Sequence, residues 1–391
     1  RDFCLSRGLG DVYKRQFPYL ATYGTNSSYN YLINGSKPVI VKAPGLVASD
    51  FTWETVTQMD FGFDASFLNN RLTGTFDWYR RNTKDMLVAG ATLPATLGAS
   101  VPKSNSADMK TIGWELSLGW NDRLENGFSY WVKGVLSDYQ ATITKYAGND
   151  AGFYSQSDGD GKYYVGQKIG EIWGYHSNGL FQSDDEAATI DQSELYAGKW
   201  GAGDVKYEDL DGDGKITKGE ETIYNPGDKS IIGNKTPRYQ FGITVGFDYK
   251  NFDFEMFWQG TGKRDYMLSG AQFWGFTSQW DVPYTPALDY WTETNTDAYF
   301  PRPGWQNGGN RVTSDRYLQS AAYGRLKNLT VGYTIPKNLT TKWGISRLRL
   351  YVTGENLLTI TPLNDAFDPE TLGGLTYPIN RKVAIGLNLT L

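Results

Sequence analysis

The sequence predicts an all-β chain that forms an antiparallel up-and-down transmembrane β-barrel with about nine strands and long extracellular loops. Apolar and polar residues alternate in many segments, and aromatic residues make up 15% of a chain that is polar on average. Short and long links between these segments alternate strictly along the chain. No run of about 18 apolar residues is present, but a barrel strand needs an apolar residue only at every second position.

The segment RYQFGITVGFDYK, residues 238–250, shows this alternation most clearly. Its odd-numbered positions from 239 to 249 are all apolar or aromatic, and the positions between them are Gln, Gly, Thr, Gly and Asp. Such a period of two is typical of a strand with one apolar face. The pattern resumes at Phe252 after Lys250 and Asn251, which predicts a β-hairpin.

The same pattern predicts the remaining strands in chain order. The nine expected strands lie at residues 52–67, 71–87, 111–121, 127–143, 238–249, 252–263, 322–335, 346–359 and 380–391. Apolar alternation is least regular in the fourth of them. Alternation alone fits a soluble barrel as well as a membrane barrel, because it does not say which face is outside.

The links between the strands favour a membrane barrel. The short turns are residues 69–70, 122–126, 250–251 and 336–345, and the long links are 88–110, 144–237, 264–321 and 360–379. In an up-and-down sheet this places every short turn at one end and every long link at the other, as in outer-membrane barrels. A soluble sandwich or propeller with an aromatic core is the alternative.

Composition excludes several functions. The chain has 38 basic and 43 acidic residues, a net charge of −5, and no basic stripe for nucleic acid. Its one cysteine, Cys4, allows no intramolecular disulfide, and its one histidine, His176, leaves zinc sites and His-based catalysis without their usual residues. We therefore expect no enzyme and assign no role to His176.

The segment DLDGDGKITKGE, residues 209–220, has the spacing of a twelve-residue calcium loop. The predicted ligands are Asp209, Asp211, Asp213, the carbonyl of Lys215, Thr217 and Glu220. Gly214 occupies the sixth position, where the loop turns sharply. The flanking segments do not resemble long helices, so the sequence predicts a single Ca²⁺ that stabilises a long loop. A solvated acidic turn is the alternative.

Tryptophans are frequent in the predicted external loops. Aromatic faces can stack on sugar rings, and Trp173, Trp274 and Trp280 are candidates for substrate binding. The alternative for each is that it packs the loops against one another or against a lid protein.

Several segments together resemble the SusC-type (SusC/RagA) branch of the TonB-dependent outer-membrane transporters. They are NNRLTGTFDWYRRNTKDMLV (69–88), TIGWELSLGW (111–120), GEIWGYHSNGLFQSDDEA (170–187), GDVKYEDLDGDGKI (203–216), IIGNKTPRYQFGITVGFDYKNFDFEMFWQG (231–260) and the region that begins ENLLTITPLNDAFDPE (355–370). The resemblance extends from about residue 50 to the end of the sequence.

This resemblance implies a barrel of about 22 strands in the outer membrane, with an amino-terminal plug, a segment that contacts TonB and a SusD-type surface lipoprotein as a lid. It also implies import of large nutrients, commonly oligosaccharides and sometimes peptides. We accordingly expect residues 51–391 to be the carboxyl-terminal part of the barrel, surrounded by lipid, without the plug.

The beginning of the sequence differs from the rest. RDFCLSRGLGDVYKRQ, residues 1–16, shows no periodic pattern and is expected to be a non-native segment from sequence assembly, with residues 17–50 an extracellular loop or partial strand. Two other functions also fit the chain. One is a calcium-binding adhesin or extracellular glycan-binding β protein, and the other is a secreted glycosidase.

Overall fold

The computed structural model describes residues 51–89, 101–147, 163–304, 307–372 and 377–391, with short pieces between 20 and 48 and the single residues 94, 96, 98, 149 and 152. The expected non-native segment 1–16 lies outside these residues. Within 17–50 the structure describes two short strands that pair antiparallel, Gly24–Asn26 (β1) and Ile40–Lys42 (β2).

The other strands follow in chain order. They are Thr55–Phe67 (β3), Leu72–Ala89 (β4), Lys103–Arg123 (β5), Ser129–Tyr146 (β6), Glu171–Tyr175 (β7), Ser177–Leu180 (β8), Val205–Tyr207 (β9), Lys229–Asn234 (β10), Arg238–Tyr249 (β11), Phe252–Lys263 (β12), Asp265–Met267 (β13), Leu318–Ser320 (β14), Tyr323–Thr334 (β15), Arg347–Ile360 (β16) and Lys382–Thr390 (β17).

The helices are single turns. They are Asp184–Ala187 (α1), Ala271–Trp274 (α2) and Lys337–Thr340 (α3), with 3₁₀ turns at Thr285–Leu288, Gly308–Arg311 and Thr341–Trp343. In the part of the chain that the structure describes, no helix has the length and apolar character needed to cross a membrane.

Nine strands form one antiparallel sheet in the order β17-β16-β15-β12-β11-β6-β5-β4-β3. Every neighbour in this sheet is the preceding or following sheet strand along the chain, so the predicted up-and-down topology is confirmed. The short turns all connect strands at one end, and the long links all leave from the other end. β5 begins at Lys103 rather than at the expected residue 111. Residues 103–110 are mostly polar and lack the alternation of the rest of the strand, so the sequence pattern did not indicate them.

Strand register places apolar residues on one face of the sheet. In the β11–β12 hairpin Phe247 lies opposite Phe254, and Ile243 lies opposite Trp258. The apolar side chains have no layer packed on them: Ile385 on β17 is 84% exposed. An apolar face without a covering layer is what contact with lipid requires.

The opposite face is polar and carries charged cross-strand pairs. Arg349 on β16 makes two hydrogen bonds to the carboxylate of Asp253 on β12, and its guanidinium lies 4.9 Å from the ring centroid of Tyr351. Aromatic rings on this face lie against glycines of the neighbouring strand. A Cβ atom on Gly246 would collide with the ring of Trp131, so glycine is required for that contact.

The main hydrophobic core lies in the long links and not in the sheet. Residues from three links, 163–237, 264–322 and 361–372, pack together beyond one end of the sheet, and we call these residues the loop cap. Its core includes Tyr207, Phe273 and Tyr317, each fully buried, together with Leu363 from the third link. A smaller cluster of Ala107, Ile143 and Tyr146 extends the tops of β5 and β6 toward the cap.

The two faces predict opposite responses to a charge at adjacent positions of β16. Val352 lies on the apolar face opposite Val331 and Ile385, and Thr353 lies on the polar face opposite Thr330. We expect Val352→Lys to destabilise the folded protein in detergent or lipid by about 2–4 kcal/mol, because the ammonium would face hydrocarbon. Thr353→Lys should cost far less. Heat-modifiable gel migration and denaturant titration of the protein measure both, and equal losses would contradict this assignment of faces.

Candidate binding surfaces of the loop cap

A buried aspartate joins the first two links of the cap, 163–237 and 264–322. Asp204 is 1% exposed and accepts hydrogen bonds from Arg302 Nε at 3.1 Å and Nη2 at 2.7 Å. It also accepts from Asn310 Nδ2 at 2.8 Å and from the backbone N–H of Gly201 at 2.9 Å. Both carboxylate oxygens are thus occupied twice, which satisfies the charge inside the cap.

His176 joins three further segments of the cap. Its Nδ1 lies 2.7 Å from Asp315 Oδ2 and its Nε2 lies 2.7 Å from Ser230 Oγ. The same aspartate accepts the backbone N–H of Ser177 at 3.0 Å. Ser230 lies inside paired strand β10 and not on a sharp turn that would expose a nucleophile. The sequence left His176 without a role, and the structure gives it one in packing β8, β10 and residue 315 together.

The third link is held by charges at the top of β15. Arg325, 2% exposed, donates to Asp368 Oδ2 at 2.6 Å and to Thr359 Oγ1 at 2.8 Å, and Lys327 Nζ lies 2.8 Å from Glu370 Oε2. These contacts place the link on the polar side of the sheet, because Arg325 stands opposite Gln259 of the polar face.

The predicted calcium loop is folded as a series of backbone-to-carboxylate turns. Asp209 accepts hydrogen bonds from the N–H groups of Gly212 and Gly214, both at 2.7 Å. Among the described residues, Asp209 and Asp211 share a group of carboxylate oxygens with Asp228, all within 4.8 Å of one another. Asp213 and Glu220, which the sequence placed in the same ligand set, are not in this group.

Asp228, which lies outside the twelve-residue motif, is the third member of this group. It is fully buried, and its two oxygens accept the N–H groups of Leu210 at 2.8 Å and Thr217 at 2.7 Å. The chain turns back between residues 219 and 227, so Asp228 approaches the loop from outside the twelve-residue motif. The twelve-residue calcium motif ends at Glu220, so its spacing could not predict Asp228.

The carboxylates of this loop differ in proton affinity. The backbone N–H of Gly214 holds the pKa of Asp209 below its usual range. The N–H of Asp213 lowers the pKa of Asp211, but desolvation and the neighbouring negative charges outweigh it and raise that pKa overall. Asp211 therefore takes up a proton before Asp209 as the pH falls. A raised carboxylate pKa within a group of like charges is also what a bound cation would reverse.

The three candidate tryptophans occupy different environments. Trp274 is 9% exposed and packs edge to face on Tyr317, with ring centroids 4.6 Å apart, so its position favours packing. Trp280 is 83% exposed in the second link. Trp173 lies between these extremes on β7, at the side of a cleft whose lining also includes Lys235.

A family model described as "TonB dependent receptor-like, beta-barrel" matches residues 8–357. The chain belongs to this family. The expected fold and the resemblance on which it was based are thereby confirmed, and the domain is part of an outer-membrane protein. Members of this family are receptors and transporters and not enzymes, in agreement with the absence of a catalytic set predicted from the sequence.

Curated relatives extend the match. The chain is 30% identical to TonB-dependent receptor P3 of Formosa agariphila, over 95% of this chain and 38% of that protein. It is 25% identical to TonB-dependent receptor SusC of Bacteroides thetaiotaomicron, over 98% of this chain and 36% of that protein. The chain thus spans little more than a third of the length of these relatives.

Solved structures share the fold. The structure of the RagAB peptide transporter superposes with a TM-score of 0.72 at 21% identity, covering 95% of this chain and 38% of the other chain. The open-open state of the RagAB peptide importer gives a TM-score of 0.73 at 20% identity. The family match begins at residue 8, inside the segment 1–16, and the non-native origin of that segment stays a prediction.

The hydrogen bonds that Asp204 accepts from Arg302 and Asn310 predict that this carboxylate stabilises the cap. We expect Asp204→Asn to destabilise the cap by about 3 kcal/mol, because the new amide would face the Arg302 guanidinium with a donor and leave its charge unpaired. Hydrogen–deuterium exchange of the intact receptor should increase in residues 201–207 and 298–304. Glu355→Gln, which alters a 48% exposed carboxylate paired with Lys382 outside the cap, is the control and should change exchange in these segments little. Equal increases in both variants would contradict the role of Asp204.

Proposed function

We propose that the intact receptor imports large nutrients across the outer membrane, with oligosaccharides or glycans as the cargo. TonB would supply energy through the amino-terminal part of the receptor, and a SusD-type surface lipoprotein would cover the loop cap. The family match over residues 8–357 is the observation that carries this proposal. The chain is also 25% identical to SusC over 98% of its length, and the resemblance to the SusC-type branch implies oligosaccharides as the common cargo.

The arrangement of the chain is suited to such a role. A polar sheet face provides a hydrated wall, and the folded cap at one end presents aromatic and polar side chains where cargo would first arrive. Peptides are the second cargo class, because RagAB is described as a peptide transporter. At 21% identity that likeness supports the fold and does not choose between the two classes.

Uptake by the living cell tests this proposal. We expect deletion of the receptor gene to abolish growth on one class of glycan as sole carbon source, and the intact gene to restore it. Restoration should fail when TonB is deleted or the proton gradient is collapsed, since import against a gradient needs that energy. Wild-type growth of the deletion strain on every glycan and on peptides would contradict an import function.

A calcium-binding adhesin or surface glycan-binding protein is the second candidate, and the group of Asp209, Asp211 and Asp228 is the observation that favours it. The two functions differ in transport: an adhesin would bind glycan at the surface and deliver none to the periplasm. Labelled glycan recovered from periplasmic extracts therefore distinguishes them.

We further propose that Ca²⁺ binds the loop at residues 209–220 in the receptor and orders the first link of the cap, 163–237. Hard oxygen ligands in number are what Ca²⁺ requires, and the spacing of the motif together with the converging carboxylates supports the assignment. Asp228 would then act in place of Glu220, with Asp213, the carbonyl of Lys215 and Thr217 as the remaining candidates from the motif.

Terbium luminescence tests this ligand set, because Tb³⁺ replaces Ca²⁺ and is sensitised by nearby aromatic rings. We expect Asp209→Asn and Asp228→Asn in the intact receptor to lose most of the signal that Ca²⁺ can displace. Glu220→Gln is the matched control and should retain it. Affinity should fall on acidification as Asp211 is protonated. A signal lost in Glu220→Gln but kept in Asp228→Asn would restore the twelve-residue ligand set, and no displaceable signal in the wild type would exclude the site.

A further inference from the structure

The loop cap contains a cleft of about 180 Å³ beside Trp173. Its lining includes Glu171, Trp173, Lys235, Tyr266, Met267 and Ser269. These residues come from two of the three links of the cap, 163–237 with strand β7 and 264–322 with strand β13. We propose that this cleft is a saccharide subsite that stacks one pyranose ring of the cargo on Trp173. The inference rests on the import function proposed above and deepens it.

Trp173 is fixed in place through the edge of its indole ring. Its Nε1 donates to Tyr164 Oη at 3.3 Å, and Tyr164 Oη donates to Glu171 Oε2 at 2.6 Å. The other oxygen of Glu171 accepts the backbone N–H of Lys168 at 3.1 Å. Burial and the hydrogen bond to Glu171 raise the pKa of Tyr164, so the phenol remains a donor throughout the physiological range. A ligand in the cleft therefore meets a ring whose orientation is already set, which lowers the entropic cost of binding.

The remaining lining residues include both apolar and polar side chains, which suits the apolar faces and polar rim of a sugar ring. Met267 is buried and gives the cleft an apolar element, while Lys235 and Ser269 are exposed polar residues. A pyranose has apolar C–H faces and a rim of hydroxyl groups, so it can cover Trp173 and reach polar groups at the same time. Tyr266 provides a second aromatic wall, with the guanidinium of Arg264 5.9 Å from its ring centroid.

The size of the cleft fits a single sugar ring. Among the described lining residues Glu171 is the carboxylate, and its two oxygens accept the hydrogen bonds that hold Tyr164 and the chain at Lys168. Ligand pockets for larger molecules measure about 300–1,000 Å³, so the smaller volume here fits one ring of a longer chain.

Binding to the purified intact receptor tests the subsite. The probes are hexasaccharides of neutral hexoses and of uronates, and the readout is isothermal titration calorimetry on the glycan that binds best. We expect Trp173→Ala to weaken binding roughly tenfold and Trp173→Phe to weaken it less, because a smaller aromatic face is kept. Tyr164→Phe should fall between wild type and Trp173→Ala, since it removes the hydroxyl that orients the indole. Trp53→Ala removes an equally large ring that is 90% exposed before β3 and outside the cleft, and it should bind like wild type.

Each contrary result has a distinct meaning. Unchanged binding by a Trp173→Ala variant that shows wild-type heat-modifiable migration would overturn the subsite, while the uptake experiment above judges import separately. If a mixed peptide pool binds, and Trp173→Ala weakens that binding while glycan binding is absent, the saccharide class is overturned and import stands. Equal losses in Trp173→Ala and Trp53→Ala would also overturn the proposal, because the effect would then not depend on the cleft.

Discussion

Backbone N–H and C=O groups that face hydrocarbon must pair with one another, because lipid offers no hydrogen bonds. In the described part of this chain, the seven inner strands of the sheet meet the demand by pairing with the preceding and following sheet strands, while β3 and β17 form its two edges and are each paired on one side. The same environment reverses the usual placement of apolar side chains, so that Ile385 and Val352 are exposed at the sheet surface. A sheet arranged in this way has no interior of its own. The packed core must form elsewhere, and it forms in the loop cap.

The cap solves a second problem, which is the cost of ordering long links. Fixing a residue costs about 1–2 kcal/mol of backbone entropy, so links of this length need burial and polar pairing to hold one conformation. Aromatic residues such as Phe273 and Tyr317 provide the burial, and their rings lie 6.3 Å apart in an edge-to-face arrangement. Asp204 and Arg325 then join separate links through charges that are largely removed from water. Binding surfaces such as the cleft at Trp173 can be rigid only because this core stands behind them.

The strands could be predicted from sequence because their signal is local. Period-two alternation fixes a strand and its apolar face without knowledge of any partner, and eight of the expected starts lie close to the observed ones. The start of β5 at Lys103 was not predicted, since residues 103–110 are mostly polar and do not alternate. The existence of the nine sheet strands thus follows from the sequence, while the eight short strands that the structure describes outside that sheet, β1, β2, β7–β10, β13 and β14, were not predicted.

The site residues were less predictable because their neighbours come from distant parts of the chain. Asp228 approaches Asp209 only after a turn that no spacing rule contains, whereas Glu220 had the expected spacing. Trp173 and Trp274 look alike in sequence, yet one lines a cleft and the other packs against Tyr317. His176 had no motif around it, because both of its partners are more than fifty residues away. In each case the deciding contact is long-range.

The bulge in β15 shows how the wall is connected to the cap. Leu329 lies on the apolar face opposite Met256, and counting back by twos would place Arg325 on the same face, toward lipid. An extra residue at Lys327 shifts the register, so that Leu326 faces Trp258 and Arg325 stands opposite Gln259 on the polar side. Only there can Arg325 reach Asp368 of the third link. The inserted residue thus turns the Arg325 charge away from the apolar face, where it would be costly in hydrocarbon. Arg325 can then bind Asp368 and help hold the third link of the cap to the sheet.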